Sequence, residues 1–351
     1  MPVRMMVVDD SAFMRKIIGD AVSQISGIEI VGFARNGLDA IEAIPRLKPD
    51  IITMDIEMPK MNGIEALKII KNDYDKVQVI MLSSYSKAGS EVTMEALELG
   101  ALDFIEKPRN SGELGLGELK TQLEIKLAVA IDLAEGTDSQ RRKYPLKLNF
   151  SLKPGFEADK VKAIVLGAST GGPKVLFDII KGLPKDLNIP IFIVQHMPKG
   201  FTKSFAERLN SECALKVVEA KNEMIISPGV VYVAPGDYHM TIEKSRIILD
   251  ERSKIHGVRP AVDLLFETAA IRYGKELLGV ILTGMGKDGA AGMISIKDAG
   301  GYNLAQDKES CVVYGMPGYA VSLGVVDEIL SPGKIIENIA SIVRGKNGTR
   351  I

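Results

Sequence analysis

The sequence predicts two α/β domains in tandem, each a mainly parallel, doubly wound sheet with helices on both faces, the second also carrying a β-hairpin. Three observations carry this reading. The chain has 351 residues, more than one ordinary domain holds and enough for two separate cores. Short β-rich runs alternate with helical patterns through both halves, the arrangement of parallel sheets covered by helices. The alternation is interrupted once, over 136–158, where the chain is polar, has two prolines and keeps no sustained period. Residues 1–135 are therefore expected to form the first domain, 136–158 a linker and 159–351 the second domain.

In the first half the strand candidates are "RMMVV" (4–8), "IEIVGFA" (28–34), "DIITMD" (50–55), "VQVIMLSS" (77–84) and "DFIEK" (103–107). Ser11 stands where a helix N-cap would, and Phe13, Ile17, Ala21 and Ile25 mark one apolar face of the helix that follows. A fifth helix is expected in "ELKTQLEIKLAVAIDLA" (118–134). In the second half the strands are "VKAIVLGAS" (161–169), "IPIFIVQHM" (189–197), "LKVVEA" (215–220), "VVYVAPGD" (230–237), "LLGVILTG" (277–284) and "YNLAQD" (302–307). "HMTIEKSRIILDE" (239–251) reads as the hairpin.

Composition narrows the function classes. Hydrophobic content of 46%, 25% charged residues and a net charge of −1 describe a globular chain with no bulk attraction to nucleic acid or anionic membrane. Two aspartates interrupt the start before a signal-peptide core develops, and no apolar run reaches membrane-spanning length, so a cytoplasmic location without direct membrane insertion is expected. Cys213 and Cys311 have neither paired nor metal-ligand spacing and read as small buried hydrophobes.

The first half ends its strands on chemistry. Asp9 and Asp10 follow the first strand, Asp55 ends the third, Ser83 the fourth and Lys107 the fifth. In an open parallel sheet, side chains at the strands' carboxyl ends converge on the ligand crevice. Each taken singly could be a turn or cap residue, but three carboxylates in one crevice call for a hard cation, and an oxygen-rich site suits Mg2+. With Mg2+ and Lys107 neutralising charge, Asp55 is placed to attack a phosphoryl group. "VVDDS", "MDIEMPKMNG", "MLSS" and "EKP" resemble the receiver domain of two-component response regulators, over about residues 1 to 125. The resemblance implies a flavodoxin-like fold, Asp55 as phosphoacceptor, and Mg2+ bound by Asp9, Asp10 and Asp55 with the Glu57 carbonyl. It further implies Ser83 as the switch hydroxyl and Lys107 as the lysine partner. Phe104 stands where many receivers carry tyrosine, which puts a tyrosine-hydroxyl switch in doubt.

No helix-turn-helix pattern follows, so the output of the second half is not expected to be nucleic-acid binding. Its glycine-rich turn "GASTGGP" (167–173) is not a P-loop, because no glycine–lysine pair is followed by serine or threonine. "GMGKDG" (284–289) fits a dinucleotide fingerprint with Asp307 downstream, but Asp288 would set an anion beside the pyrophosphate. Gly167, Ser169 and Gly171 instead give G-x-S-x-G, which lets a serine occupy a tight strand-to-helix turn with its hydroxyl exposed. Serine needs a base, and of three histidines His196 ends the very next strand; His239 and His256 read as structural or surface groups. Asp288 is placed to orient the imidazole, and the backbone N–H of Met285 to bind an oxyanion.

A receiver joined to "GASTGGP", "VQHMP", "APGDYHM" and "LTGMGKDGA" is similar to the chemotaxis response regulator protein-glutamate methylesterases over nearly the whole chain outside the linker. The likeness implies that Ser169, His196 and Asp288 hydrolyse glutamate methyl esters on chemoreceptor helices without a cofactor, releasing methanol, and that the site also deamidates glutamines. It implies a chemotaxis histidine kinase as phosphodonor and repression by the unphosphorylated receiver.

Overall fold

The computed structural model describes residues 2–84, 86–108, 113–134 and 160–346, and the chain divides into two compact units, Met1–Ser139 and Gln140–Ile351. The expected linker, 136–158, lies outside the described residues.

The first unit is a five-stranded sheet, β1 (Val3–Val8), β2 (Ile28–Ala34), β3 (Ile51–Asp55), β4 (Gln78–Ser83) and β5 (Asp103–Glu106), in the order β2-β1-β3-β4-β5 with every pair parallel. Five helices, α1 (Ala12–Val22), α2 (Gly37–Leu47), α3 (Gly63–Asp73), α4 (Lys87–Glu98) and α5 (Glu113–Ala134), connect and flank the strands. Local chemistry sets their starts. Ser11, Asn36, Asn62 and Ser86 each cap a first turn, and Asn62 with Glu65 closes a reciprocal capping box. The strand order reverses at β1/β3, so the residues following those strands flank the switch-point crevice.

One face differs from expectation. Helix α1 buries Met14, Ile18, Ala21 and Val22, whereas Phe13 is 56% exposed. The helix stops at Val22, and Gln24 and Ile25 turn back to the carbonyls of Ala21 and Val22, so a stripe through Ile25 cannot form. Helix α5 starts five residues before the expected 118, at Glu113.

The second unit is a seven-stranded sheet, all of whose pairings are parallel, in the order β15-β14-β13-β6-β7-β10-β8. Its strands are β6 (Ala163–Ala168), β7 (Ile191–Gln195), β8 (Lys216–Glu219), β10 (Val230–Val233), β13 (Leu277–Ile281), β14 (Tyr302–Gln306) and β15 (Glu328–Leu330). The expected hairpin is β11 (His239–Glu243) against β12 (Arg246–Asp250), joined by the two-residue β9 (Met224–Ile225) in a small antiparallel sheet. The helices are α6 (Gly172–Gly182), α7 (Phe201–Glu212), α8 (Val262–Tyr273), α9 (Ala290–Asp298), α10 (Met316–Ser322) and α11 (Pro332–Lys346). Strands β6 and β7 are almost wholly apolar, as strands covered on both faces should be. Phe192, Tyr232 and Phe266 are among the largest fully buried side chains of the core. Among the described residues neither Cys213 nor Cys311 forms a disulfide, and both are only half-buried.

From β6 the chain adds β7, then the edge strand β8, then β10 between them on one side and, after the hairpin, builds outward through β13, β14 and β15 on the other. The switch point is β6/β13, where the register pairs Gly167 with Ile281. The turns after those two strands therefore meet at the carboxyl edge of the sheet.

Candidate functional site

In the second unit, Ser169 follows β6, with Gly171 in the left-handed region (φ 77°) closing the turn into α6. The turn is held from three directions. Ser169 N–H donates to Thr283 O at 3.0 Å, Gly172 N–H to Ser169 O at 2.8 Å, and Gln195 Nε2 to Ser169 O at 2.9 Å. Glycine is required across the crevice as well, since a Cβ on Gly284 would lie 2.8 Å from Ser169 Cβ and 2.4 Å from Met316 Sδ.

His196 leaves β7 beside this turn, its N–H donating to Ala168 O at 3.1 Å. Its Nε2 is 2.8 Å from Asp288 Oδ2. The contact therefore consumes Nε2 and leaves Nδ1 as the ring nitrogen available to a reacting hydroxyl. Asp288 is 2% exposed and accepts from three backbone amides: Val262 (2.7 Å) on Oδ2, and Asp263 (3.0 Å) and Gly289 (3.0 Å) on Oδ1. Burial pushes its carboxyl up, but the His196 hydrogen bond and charge, with the Val262 and Asp263 amides, outweigh it and hold the group below the usual carboxylate range. Helix α8 has no side-chain cap of its own at Ala261, so Asp288 supplies the missing acceptor from another part of the chain. Met285 is 42% exposed, and among the described residues its N–H donates to no protein acceptor, as an oxyanion donor requires.

The other two histidines have different partners. His239 is buried, accepting from Ala261 N–H on Nδ1 at 3.2 Å and placing Nε2 3.1 Å from Ser253 O; burial pushes its titration down, so it is a neutral structural group. His256 Nε2 is 3.0 Å from Asp263 Oδ2. Asp307, the acid of the dinucleotide pattern, is engaged by Ser310 in its own turn, with Ser310 N–H at 3.0 Å.

In the first unit, Asp9, Asp10 and Asp55 bring carboxylate oxygens within 4.8 Å of one another. Lys107 Nζ lies 2.9 Å from Asp9 Oδ2 and 2.7 Å from Asp55 Oδ2. Burial pushes the Asp55 carboxyl up to about 6; Lys107 pulls it down, and Asp9 and Asp10 push it further up. Asp9 Oδ2 is buried, and among the described residues its polar contact is Lys107 Nζ. Crowded, partly unsatisfied carboxylate oxygens are what a small divalent cation takes up, so these residues fit Mg2+. Glu57 is exposed just beyond β3. Ser83 Oγ is held by α4, 2.6 Å from Thr93 Oγ1 and 3.3 Å from Gly89 O. Phe104 is buried, with Lys126 Nζ 5.3 Å from its ring centroid.

Motif reasoning missed three contributors: Gln195, the first two amides of α8, and Asp263. A helix beginning at Val262 without a capping side chain was the available signal for the amides.

Two family models match the chain: response regulator receiver domain over residues 5–116 and CheB methylesterase over 164–339. Protein-glutamate methylesterase/protein-glutamine glutaminase of Clostridium acetobutylicum is 44% identical over 98% of both chains. The protein of the same name from Thermotoga maritima is 45% identical over 97% of this chain and 98% of its own, and that from Pyrococcus horikoshii 42% identical over 98% and 95%. The crystal structure of the Thermotoga maritima CheB methylesterase catalytic domain is 46% identical, with a TM-score of 0.50, covering 52% of this chain and 98% of that one.

Proposed function

Because this chain belongs to the CheB methylesterase family, with a response regulator receiver domain ahead of the esterase domain, we propose that it hydrolyses glutamate methyl esters on chemoreceptors in chemotaxis adaptation, under control of receiver phosphorylation. The observation that carries the reading is the 2.8 Å contact between His196 Nε2 and Asp288 Oδ2 at the crevice where the Ser169 turn ends.

His196 takes the Ser169 proton at Nδ1 while Oγ attacks the ester carbonyl, and Asp288 stabilises the imidazolium that results. The Met285 N–H donates to the developing oxyanion. The same imidazolium then protonates the leaving methoxide, and methanol departs from a glutamyl-serine ester. Water, deprotonated by His196, cleaves that ester and restores the serine. With a glutamine substrate the leaving group is ammonia, which is the glutaminase reaction carried in the relatives' name. No step calls for a cofactor.

In the receiver, placed at 1–135, Asp9, Asp10, Asp55 and the Glu57 carbonyl would hold Mg2+, which neutralises charge on the incoming phosphoryl group. Asp55 accepts that group from a histidine kinase, and Lys107 turns from Asp55 to a phosphoryl oxygen. Ser83 exchanges Thr93 and Gly89 for the phosphate, a change at α4 that relieves repression of the catalytic domain, placed at 159–351, while Phe104 stays buried. We place the protein in the cytoplasm; among the described residues no helix is long and apolar enough to cross a membrane.

The test is methanol release from methylated chemoreceptor membranes. Ser169→Ala is expected to lower the rate at least about 10³-fold, because triad members act as a unit. Methanol release from Ser169→Ala within a few-fold of the unsubstituted protein would sink the assignment.

A further inference from the structure

Behind the His196–Asp288 pair lies a second imidazole–carboxylate pair that the hydrolytic steps do not use. Asp263, 5% exposed in the first turn of α8, places Oδ2 3.0 Å from His256 Nε2 and accepts from Gly292 N–H of α9 on Oδ1 at 2.9 Å. Its own N–H donates to Asp288 Oδ1 at 3.0 Å. Ligand-type atoms of His256, Asp263 and Asp288 lie within 4.8 Å of one another. They do not read as a cation site, since backbone amides and His196 already occupy the Asp288 oxygens.

Two neighbouring buried carboxylates are costly, and at Asp263 the His256 contact and the Gly292 amide offset part of that cost. We propose that Asp263, kept ionised by His256, is a positioning residue for ester hydrolysis: it pins α8 to α9 around Asp288 and adds a second negative charge that stabilises the His196 imidazolium. The proposal rests on the Ser169 esterase reading.

The groups facing Asp263 give its charge a definite dependence. Burial and the Asp288 charge push its carboxyl up, against the Gly292 amide and the His256 contact. Glu267, one turn along α8, is also pushed up, by burial and then by Asp263 and Asp288. From β11, buried His239 is neutral. Among the described residues, His256 is the donor side chain that meets Asp263 from the solvent side, and it is exposed enough to be changed without opening the core.

The test is the pH profile of kcat for methanol release by the full-length protein from methylated chemoreceptor membranes. Asp263→Asn keeps the shape and removes the charge. It is expected to lower kcat about tenfold with little change in KM, and to move the acid limb down by roughly one pH unit, since less negative potential favours loss of the imidazolium proton. His256→Gln, which keeps the fold even if the buried variant does not, is expected to match Asp263→Asn at the acid end and approach the unsubstituted rate at the alkaline end. Its Asp263 ionises there without help, and becomes neutral as pH falls through a range above that of ordinary carboxylates. A purely structural role would lower the rate at every pH without moving the limb. Acid limbs for His256→Gln and folded Asp263→Asn that superimpose on the unsubstituted profile overturn the proposal, provided Ser169→Ala is inactive in the same assay. If Ser169→Ala retains activity, the esterase assignment fails and this inference falls with it.

Discussion

Asp55→Asn is expected to stabilise the metal-free receiver unit at neutral pH, although it removes the residue on which phosphorylation depends. Asp55 is nearly buried, and its carboxyl sits at about 6; an aspartate in an unfolded chain titrates near about 4. The folded state thus binds the proton more tightly. The stability this contributes is present below about pH 4 and is lost as pH rises through about 6. About two pH units at about 1.36 kcal/mol each give a cost of about 3 kcal/mol for holding the carboxylate ionised at pH 7.5, with the pull of Lys107 already inside that figure. Asparagine is close in shape and carries no charge. The measurement is the urea transition of the receiver in the full chain, with EDTA present, followed by hydrogen exchange of peptides from β1, β3 and β4. The gain should approach 3 kcal/mol at pH 7.5 and shrink towards zero near pH 4, and Mg2+ should stabilise the unsubstituted protein more than the variant. An Asp55→Asn receiver no more stable than the unsubstituted one at pH 7.5, or a gain that does not shrink in acid, would refute the account of these carboxylates as crowded and undercompensated.

The esterase crevice gives three further outcomes. Gly284→Ala should reduce kcat for methanol release about 10²-fold with the fold retained, because its Cβ meets Ser169 Cβ and Met316 Sδ at 2.8 and 2.4 Å and displaces the nucleophile; normal kcat in this variant would show that the turn is not held as described. Asp288→Asn should lose about 10³- to 10⁴-fold in kcat, less than Ser169→Ala, by presenting an amide to His196 Nε2. Asp288→Ala should in addition cost about 3 kcal/mol of unfolding free energy, since the Val262, Asp263 and Gly289 amides lose a buried acceptor; equal stability of the two variants would contradict that capping role.

Which residues stand at the ends of strands is legible in the chain alone, and that is most of both sites. Apolar runs ending in Asp9, Asp55, Ser83, Lys107, Ser169 and His196 are local patterns, and parallel topology carries strand ends to one edge whatever the packing details. The glycine at 171 was legible for the same reason, since a tight strand-to-helix turn needs a positive φ. Tertiary structure decided what lies between segments far apart in the chain. That His196 meets Asp288 through Nε2 depends on β6 separating β7 from β13, and that Asp288 caps α8 depends on α8 packing beside α9, across separations of 92 and 26 residues. Periodicity failed on α1 because the helix turns Met14, Ile18, Ala21 and Val22 to the core and leaves Phe13 exposed, and because it ends at Val22, before Ile25. Asp263 and His256 carried no motif at all. Their pairing exists only because two helices bring a second carboxylate to the back of the first, where burial and charge give it a meaning that spacing along the chain cannot express.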